Sequence, residues 1–303
     1  MKLGIKVGPQ PQSFHDLEQT RAPYCEVWFN INEASQYDDL FAFITKRDID
    51  VGLHFWGQLA NGTAPNFAYP DTQLIRGSLV LIQKTIDIAA QNKFSYVNIH
   101  PGMATKSKID FTKHQLQPMT PPVDFALSEQ LFLEHAQTLH QYATNRGIVL
   151  TIETVPQRNT PDWYDHNARK ENRTINAYEL PVAMLTKAAG QGLWIANDLC
   201  HTAANVISDN RTDVANVVFE TTKTLAPQTR LIHVGFLIPP YNGTDFHDHL
   251  DNPLLNTDQA IPNKKELKQL LKLFANRDDV WAIVEPVADH PKNFFLLQQL
   301  IKM

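Results

Sequence analysis

Short apolar, β-rich runs punctuate the chain: KLGIKV from Lys2, YCEVWFN from Tyr24, DVGLHFW from Asp50 and YVNIHPG from Tyr96. The series continues with IVLTIETV from Ile148, LWIANDL from Leu193, RLIHVGF from Arg230 and VWAIVEP from Val280. Each is a near-continuous hydrophobic stretch of strand length, the pattern of strands buried on both faces of a parallel sheet. Between them the spacing turns helical. Ile75, Leu79, Ile82, Ile86 and Ala90 recur at steps of three and four, as do Phe132, Ala136, Leu139 and Ala143. Leu267, Leu270, Leu271 and Phe274 form another stripe, and the sequence closes on FFLLQQLIKM. Eight strands, each followed by a helix-compatible segment, predict an α/β fold: a single (β/α)₈ TIM barrel over residues 1–303. An open doubly wound sheet is the alternative, but it usually carries a Gly-rich phosphate turn after an early strand. Neither GxGxxG nor GxxxxGK[ST] occurs, and no repeat or low-complexity tract suggests a domain boundary.

Composition narrows the class. A chain of 303 residues, 43% of them hydrophobic, is ample for one large core. Cys25 and Cys200 lie far apart and make no disulfide framework. The N-terminal MKLGIKVGPQ lacks signal-peptide anatomy, and no apolar run approaches the ~20 residues a membrane helix needs. The expectation is a cytoplasmic protein with no membrane partner. A net charge of −5 argues against indiscriminate coating of nucleic acid, though a locally basic cleft is compatible with it.

The chemistry lies where polar residues interrupt the apolar strands. His54 and His100 stand near the ends of the third and fourth runs; Glu153, Asp198, His233 and Glu285 close the next four. His201 follows Asp198 by three residues, and Asp245 and His247 follow His233 in the same connection. In a barrel these positions face one mouth, where strand ends deliver catalytic groups. A lone histidine on a strand is more often a hydrogen-bonded core residue, and a lone strand-end carboxylate is often a helix cap. Convergence changes the balance, because so many uncompensated charges in one mouth would repel and lack partners. Divalent metal resolves both problems. The ligand types fit Zn²⁺ best, with Mn²⁺ close behind because carboxylates contribute heavily.

The strings HPG at His100, ETVP at Glu153, DLCHTAANV from Asp198, HV at His233, DFH from Asp245 and VEP at Val284 resemble the endonuclease IV family. More broadly they resemble the xylose-isomerase-like barrels of AP endonuclease family 2. The resemblance implies up to three zinc ions. His54, His100 and Glu153 would hold the first. Glu153 would bridge to a second, held also by Asp198, His233 and Glu285, and His201, Asp245 and His247 would hold the third. Two departures stand out. That family continues its seventh-strand histidine as His-x-Asn-Asp, where this chain has HVGF with Gly235 and Phe236. Its Gly-rich loop after the fifth-strand glutamate is replaced by TVPQRNTPDWYDHNARKENRT. No residue matches those that enter a DNA duplex, so nucleic acid is a weaker partner than a small-molecule or phosphate-ester substrate.

The replacement loop carries Arg158, Arg169, Lys170 and Arg173 beside Trp163 and Tyr164, and the loop after the fourth strand adds Lys106, Lys108 and Lys113. Overhanging the mouth, these cations fit an anionic substrate; interleaved Asp162, Asp165 and Glu171 equally fit a solvated surface loop. His166 and His249 are expected to be exposed. Three functions follow. The first is metal-assisted hydrolysis of a phosphate ester, with Glu153 fixing the separation of two metals. The second is a single-metal sugar isomerase or epimerase, with Glu153 and Glu285 moving protons on either face of the substrate and His201 binding a hydroxyl. The third is a non-catalytic barrel that binds metal or a small ligand. His54, His100, Asp245 and His247 are superfluous for the second. The sequence leaves substrate and oligomeric state open.

Overall fold

The eight apolar runs become the eight strands of a closed, all-parallel barrel in a computed structural model that describes residues 1–302. The strands are β1 (Lys2–Val7), β2 (Tyr24–Asn30), β3 (Asp50–Trp56) and β4 (Tyr96–Ile99). They continue as β5 (Val149–Glu153), β6 (Trp194–Asp198), β7 (Thr229–His233) and β8 (Trp281–Val284). Each pairs with its neighbours in sequence, and β1 closes on β8 with Gly4 opposite Ile283. This is the (β/α)₈ TIM barrel that the apolar spacing predicts.

Strand alternation sorts the side chains into two environments. Val97, Ile195, Ile232 and Ala282 belong to the layer packed against the helices. Their neighbours Tyr96, Ala196, Leu231, Trp281 and Ile283 form a separate buried cluster, with Tyr24 and Val149 against it. That cluster plugs the barrel interior and makes a hydrophobic floor. One inward step beyond the floor, two residues on, come Glu26, Asn98, Asp198, His233 and Glu285. The pleat alone therefore lifts a ring of polar groups above an apolar plug.

The helices are α1 (Pro11–Thr20), α2 (Asp38–Lys46), α3 (Thr72–Gln91), α4 (Phe125–Thr144) and the short α5 (His166–Lys170). They continue with α6 (Val182–Gly190), α7 (Leu199–Ala204), α8 (Arg211–Leu225), α9 (Lys264–Lys272) and α10 (His290–Lys302). Phe132, Ala136, Leu139 and Ala143 of α4 are all fully buried, as their spacing predicts. The face of α3 is rotated from the expected stripe: Ile82 and Ile86 are buried, but so are Ser78 and Thr85, while Ile75, Leu79 and Ala90 are only partly covered. Ser78 and Thr85 donate to the carbonyls of Leu74 and Leu81 at 2.7 and 3.1 Å, which lets small polar residues occupy the packed face.

Two connections carry structure of their own over the C-terminal mouth. Residues Ser107–Asp110 and Gln115–Pro118 form an antiparallel hairpin after β4, and Arg158–Asn159 pairs with Ile175–Asn176 around α5 after β5. No helix among the described residues is long and apolar enough to cross a membrane.

Candidate metal centre

Glu153 ends β5 fully buried and offers its two oxygens in different directions. Oε2 lies 3.3 Å from His54 Nε2 and 3.9 Å from His100 Nε2, and the two imidazole nitrogens are 3.3 Å apart. Oε1 lies 3.2 Å from His233 Nδ1, which is also 3.2 Å from Glu285 Oε2 and 3.7 Å from Asp198 Oδ2. The amide of Asn98, one inward step past the floor on β4, donates to Oε2 and holds the carboxylate in place. The side chains expected to share Glu153 are thus gathered around it.

Asp198 serves two purposes at once. It is the N-cap of α7, where Oδ1 accepts from the backbone N–H of His201 at 2.8 Å. Its other oxygen faces the imidazoles of His201 and His233. His201 places Nδ1 2.8 Å from the Thr154 carbonyl, the contact that fixes a tautomer with Nε2 free to ligate. That Nε2 is 3.3 Å from Asp245 Oδ2, which is in turn 2.8 Å from His247 Nε2.

The expected ligands form three donor sets. In His54–His100–Glu153, in Glu153–Asp198–His233–Glu285 and in Asp198–His201–His247, one ligand atom per residue lies within 4.8 Å of all the others. Imidazole and carboxylate donors at this separation fit a divalent ion, and Asp245 stands against both histidines of the third set. All nine ligand candidates from the sequence lie in the mouth; the third geometric set differs from the expected His201–Asp245–His247 grouping, with Asp198 in the place of Asp245.

The buried charges of the mouth balance one another in pairs. Burial opposes the charge of every group, yet the charged forms prevail in pairs. Glu153 is held well below the usual carboxylate range, because His233 and His54 outweigh its burial. Asp245 is held down in the same way by His247 and His201. In return, Asp198 and Asp245 raise His201 well above its ordinary value against its burial, and Asp245 raises His247 to about 9. His100 alone goes the other way: desolvation pushes it down to about 4, leaving the neutral ring that a metal requires.

Two residues of this layer escape the strand-end pattern. Lys6 on β1 and Glu26 on β2 face each other in register and are buried beside the ligands. Glu26 accepts from Tyr96 Oη at 2.8 Å and lies 3.1 Å from His233 Nε2, so it orients that ring with Nδ1 toward Glu153. Gly52 makes room for this arrangement, since a Cβ there would fall 1.9 Å from Tyr96 Cζ. The available signal was an ionisable residue inside an apolar run, regardless of its distance from the run's end.

The mouth opens into a cavity of about 410 Å³. Trp28, Trp56 and Trp163 form one wall, with Trp56 5.1 Å from the His100 ring and 5.4 Å from Trp163. Glu179 lines it too, with burial raising its carboxyl to about 8. The four loop cations expected to meet substrate take other places, and none lines the cavity. Arg169 is 1% exposed and gives its guanidinium to the carbonyls of Ile238, Pro239 and Pro240, in a connection that later delivers Asp245 and His247. Arg173 pairs with Asp165 and Glu171, Lys170 is exposed, and Arg158 sits in the small ladder. Of the three lysines, Lys106 pairs with Asp71, Lys113 with Asp110, and Lys108 is exposed. The expectation of exposure at His166 and His249 is corrected: both are half-buried, His166 against Phe246 and His249 within 2.9 Å of Asn293.

No family model matches the chain, and no curated protein matches it in sequence. Solved structures do match in shape. D-psicose 3-epimerase from Clostridium cellulolyticum, solved with D-tagatose, superposes at a TM-score of 0.60 with 11% identity, covering 100% of this chain and 96% of that one. The 3-keto-D-glucoside 4-epimerase of E. coli gives 0.59 at 14%, covering 100% of both chains. Endonuclease IV from Thermus thermophilus gives 0.58 at 11%, covering 100% and 99%. The fold of this chain is therefore a TIM barrel of the kind seen in sugar epimerases and in endonuclease IV alike.

Proposed function

We propose that the chain is a metal-dependent enzyme that hydrolyses a phosphate ester of a small molecule, using three divalent ions, with zinc the best fit to the ligands. The observation that carries this reading is the presence of three donor sets joined through Glu153 and Asp198. Bound there, the ions would supply Lewis acidity, activation of water and neutralisation of phosphate charge. The chain's own contribution is positional. Glu153 spans two sets and fixes their separation, while Asn98, Thr154 and Glu26 hold ligand orientation from behind. Trp28, Trp56 and Trp163 line one side of the mouth with apolar surface. The cavity is on the scale of a small ligand, and its lining holds no arginine, which favours a small ester over a nucleic acid. A soluble, cytoplasmic, single-domain protein fits this reading.

A second reading has an observation of its own. Glu153, Asp198, His233 and Glu285 form a complete one-metal set, and proteins of the same fold include sugar epimerases. That reaction has no need of His100 or of the Asp245–His247 pair. The discriminating experiment assays the zinc- and manganese-loaded protein on small phosphomonoesters and phosphodiesters, and in parallel on ketoses for epimerisation. Ester hydrolysis, read as phosphate from monoesters or the alcohol freed from diesters, that is lost in Asp245→Ala and His247→Ala variants supports this reading. Ketose turnover indifferent to both substitutions would establish the epimerase instead.

A further inference from the structure

A fourth donor set overlaps the other three: Glu26, His54, His233 and Glu285 also bring one ligand atom each within 4.8 Å of one another. It already holds an ammonium. The ammonium of Lys6 donates to Glu26 Oε1 and Glu285 Oε1 and lies 2.7 Å from His54 Nδ1, touching three of the four members. It is buried, and a buried ammonium persists only where anions compensate its lost hydration.

The three shared residues divide their atoms consistently. His54 turns Nδ1 toward Lys6 and Nε2 toward His100 and Glu153. His233 turns Nε2 to Glu26 and Nδ1 to Glu153. Glu285 gives Oε1 to Lys6 and Oε2 to His233. An imidazole ordinarily offers a metal only one nitrogen, the other carrying the ring proton, so the fourth set and the others compete for the same rings. With His54 Nε2 on a metal, Nδ1 carries the ring proton and no longer accepts from the ammonium; Glu26 Oε1 at 3.2 Å and Glu285 Oε1 at 3.3 Å accept that proton, and Lys6 is held by the two carboxylates alone.

We propose that Lys6 is the resident cation of this fourth set, closing it to divalent metal and thereby directing His54, His233 and Glu285 into the neighbouring sets. Lys6 is a positioning residue for metal. The assignment rests on the metal reading of the mouth but is independent of the reaction carried out there.

The test is the visible absorption of the full chain loaded with Co²⁺, compared with Lys6→Met, Lys6→Arg and Lys6→Met combined with Glu26→Gln. Cobalt bands report ligand type and coordination number without any assay of turnover. Lys6→Met is expected to shift or add bands as cobalt enters the vacated set, Lys6→Arg to keep the original spectrum, and the double variant to lose the new bands. A Lys6→Met spectrum superimposable on that of the unsubstituted chain overturns the proposal. So do new bands that persist without Glu26, because they would arise elsewhere. If Lys6→Met is unfolded without metal, cobalt titration followed by circular dichroism decides: refolding with the new bands supports it, and failure to refold at saturating cobalt overturns it. An unsubstituted chain that takes up no cobalt would instead sink the metal reading itself.

Discussion

Glu153 and Asp198 each do at the scale of one side chain what simpler sites divide between two. One oxygen of Glu153 serves the His54–His100 pair and the other serves His233. Asp198 caps a helix with one oxygen and faces the imidazoles with the other. Glu153→Gln is expected to weaken the binding of two ions together and to lower activity at least ~100-fold, since even outer partners of a metal site are worth roughly 10–100-fold. Elemental analysis of that variant alongside its rate checks the coupling. A subtler test lies one step behind the ligands. Gly52→Ala would drive a methyl into the Tyr96 ring and is expected to destabilise the chain by about 1–3 kcal/mol, as overpacking does. Tyr96→Phe removes only the hydroxyl that holds Glu26 and is expected to keep the fold while weakening metal affinity. Urea unfolding together with zinc titration separates the two effects. At this scale the sequence was legible wherever an ionisable residue closed an apolar run. Glu26 was not, because it is buried mid-strand in β2, and Lys6, one residue from the end of β1, was not because an ammonium is no metal ligand.

The strands were the most legible elements, since eight continuous apolar runs admit few arrangements other than a parallel sheet covered on both sides. The connections were not. A basic loop over an active-site mouth reads naturally as an anion clamp, yet Arg169 binds carbonyls about 70 residues away, and nothing local in the sequence announces such a partner. That contact ties α5 to the start of the β7 connection and packs beside Phe246, between Asp245 and His247. On the proposed three-metal reading, Arg169→Ala is therefore expected to act on the ion held by His201 and His247 rather than on substrate charge. Stability should fall by at least ~2 kcal/mol, in keeping with the loss of charge-assisted hydrogen bonds that leaves carbonyls unpaired. Zinc bound through His201 and His247 should weaken, while the affinity of the other ions changes little. A variant that raises KM and retains its full metal content would return Arg169 to a substrate role. The rotated face of α3 is the milder case, where back-bonded Ser78 and Thr85 occupy the packed side that periodicity assigns to larger residues.

For the whole molecule, the same barrel supports epimerases and an endonuclease, so the reaction depends on the charge and ligand count of the mouth rather than on the fold. That charge has a pH signature. The folded values of His201, His233 and His247 lie above the ordinary histidine value of 6.5, that of His247 at about 9, so the metal-free protein holds protons on these rings at neutral pH. Their contribution to stability is full below 6.5 and lost as pH rises through the folded values. In chelator, unfolding temperature should therefore fall between pH 6.5 and 9. With zinc it should rise over the same window, because metal displaces those protons and binds more tightly as they leave. Calorimetry in buffers of different ionisation enthalpy should show proton release on zinc binding. The most direct single measurement is the number of zinc ions per chain at saturation, by elemental analysis, in the unsubstituted protein and in an Asp245→Ala, His247→Ala double variant. Three ions falling to two are expected; a single ion unmoved by the substitutions would contradict the trinuclear centre.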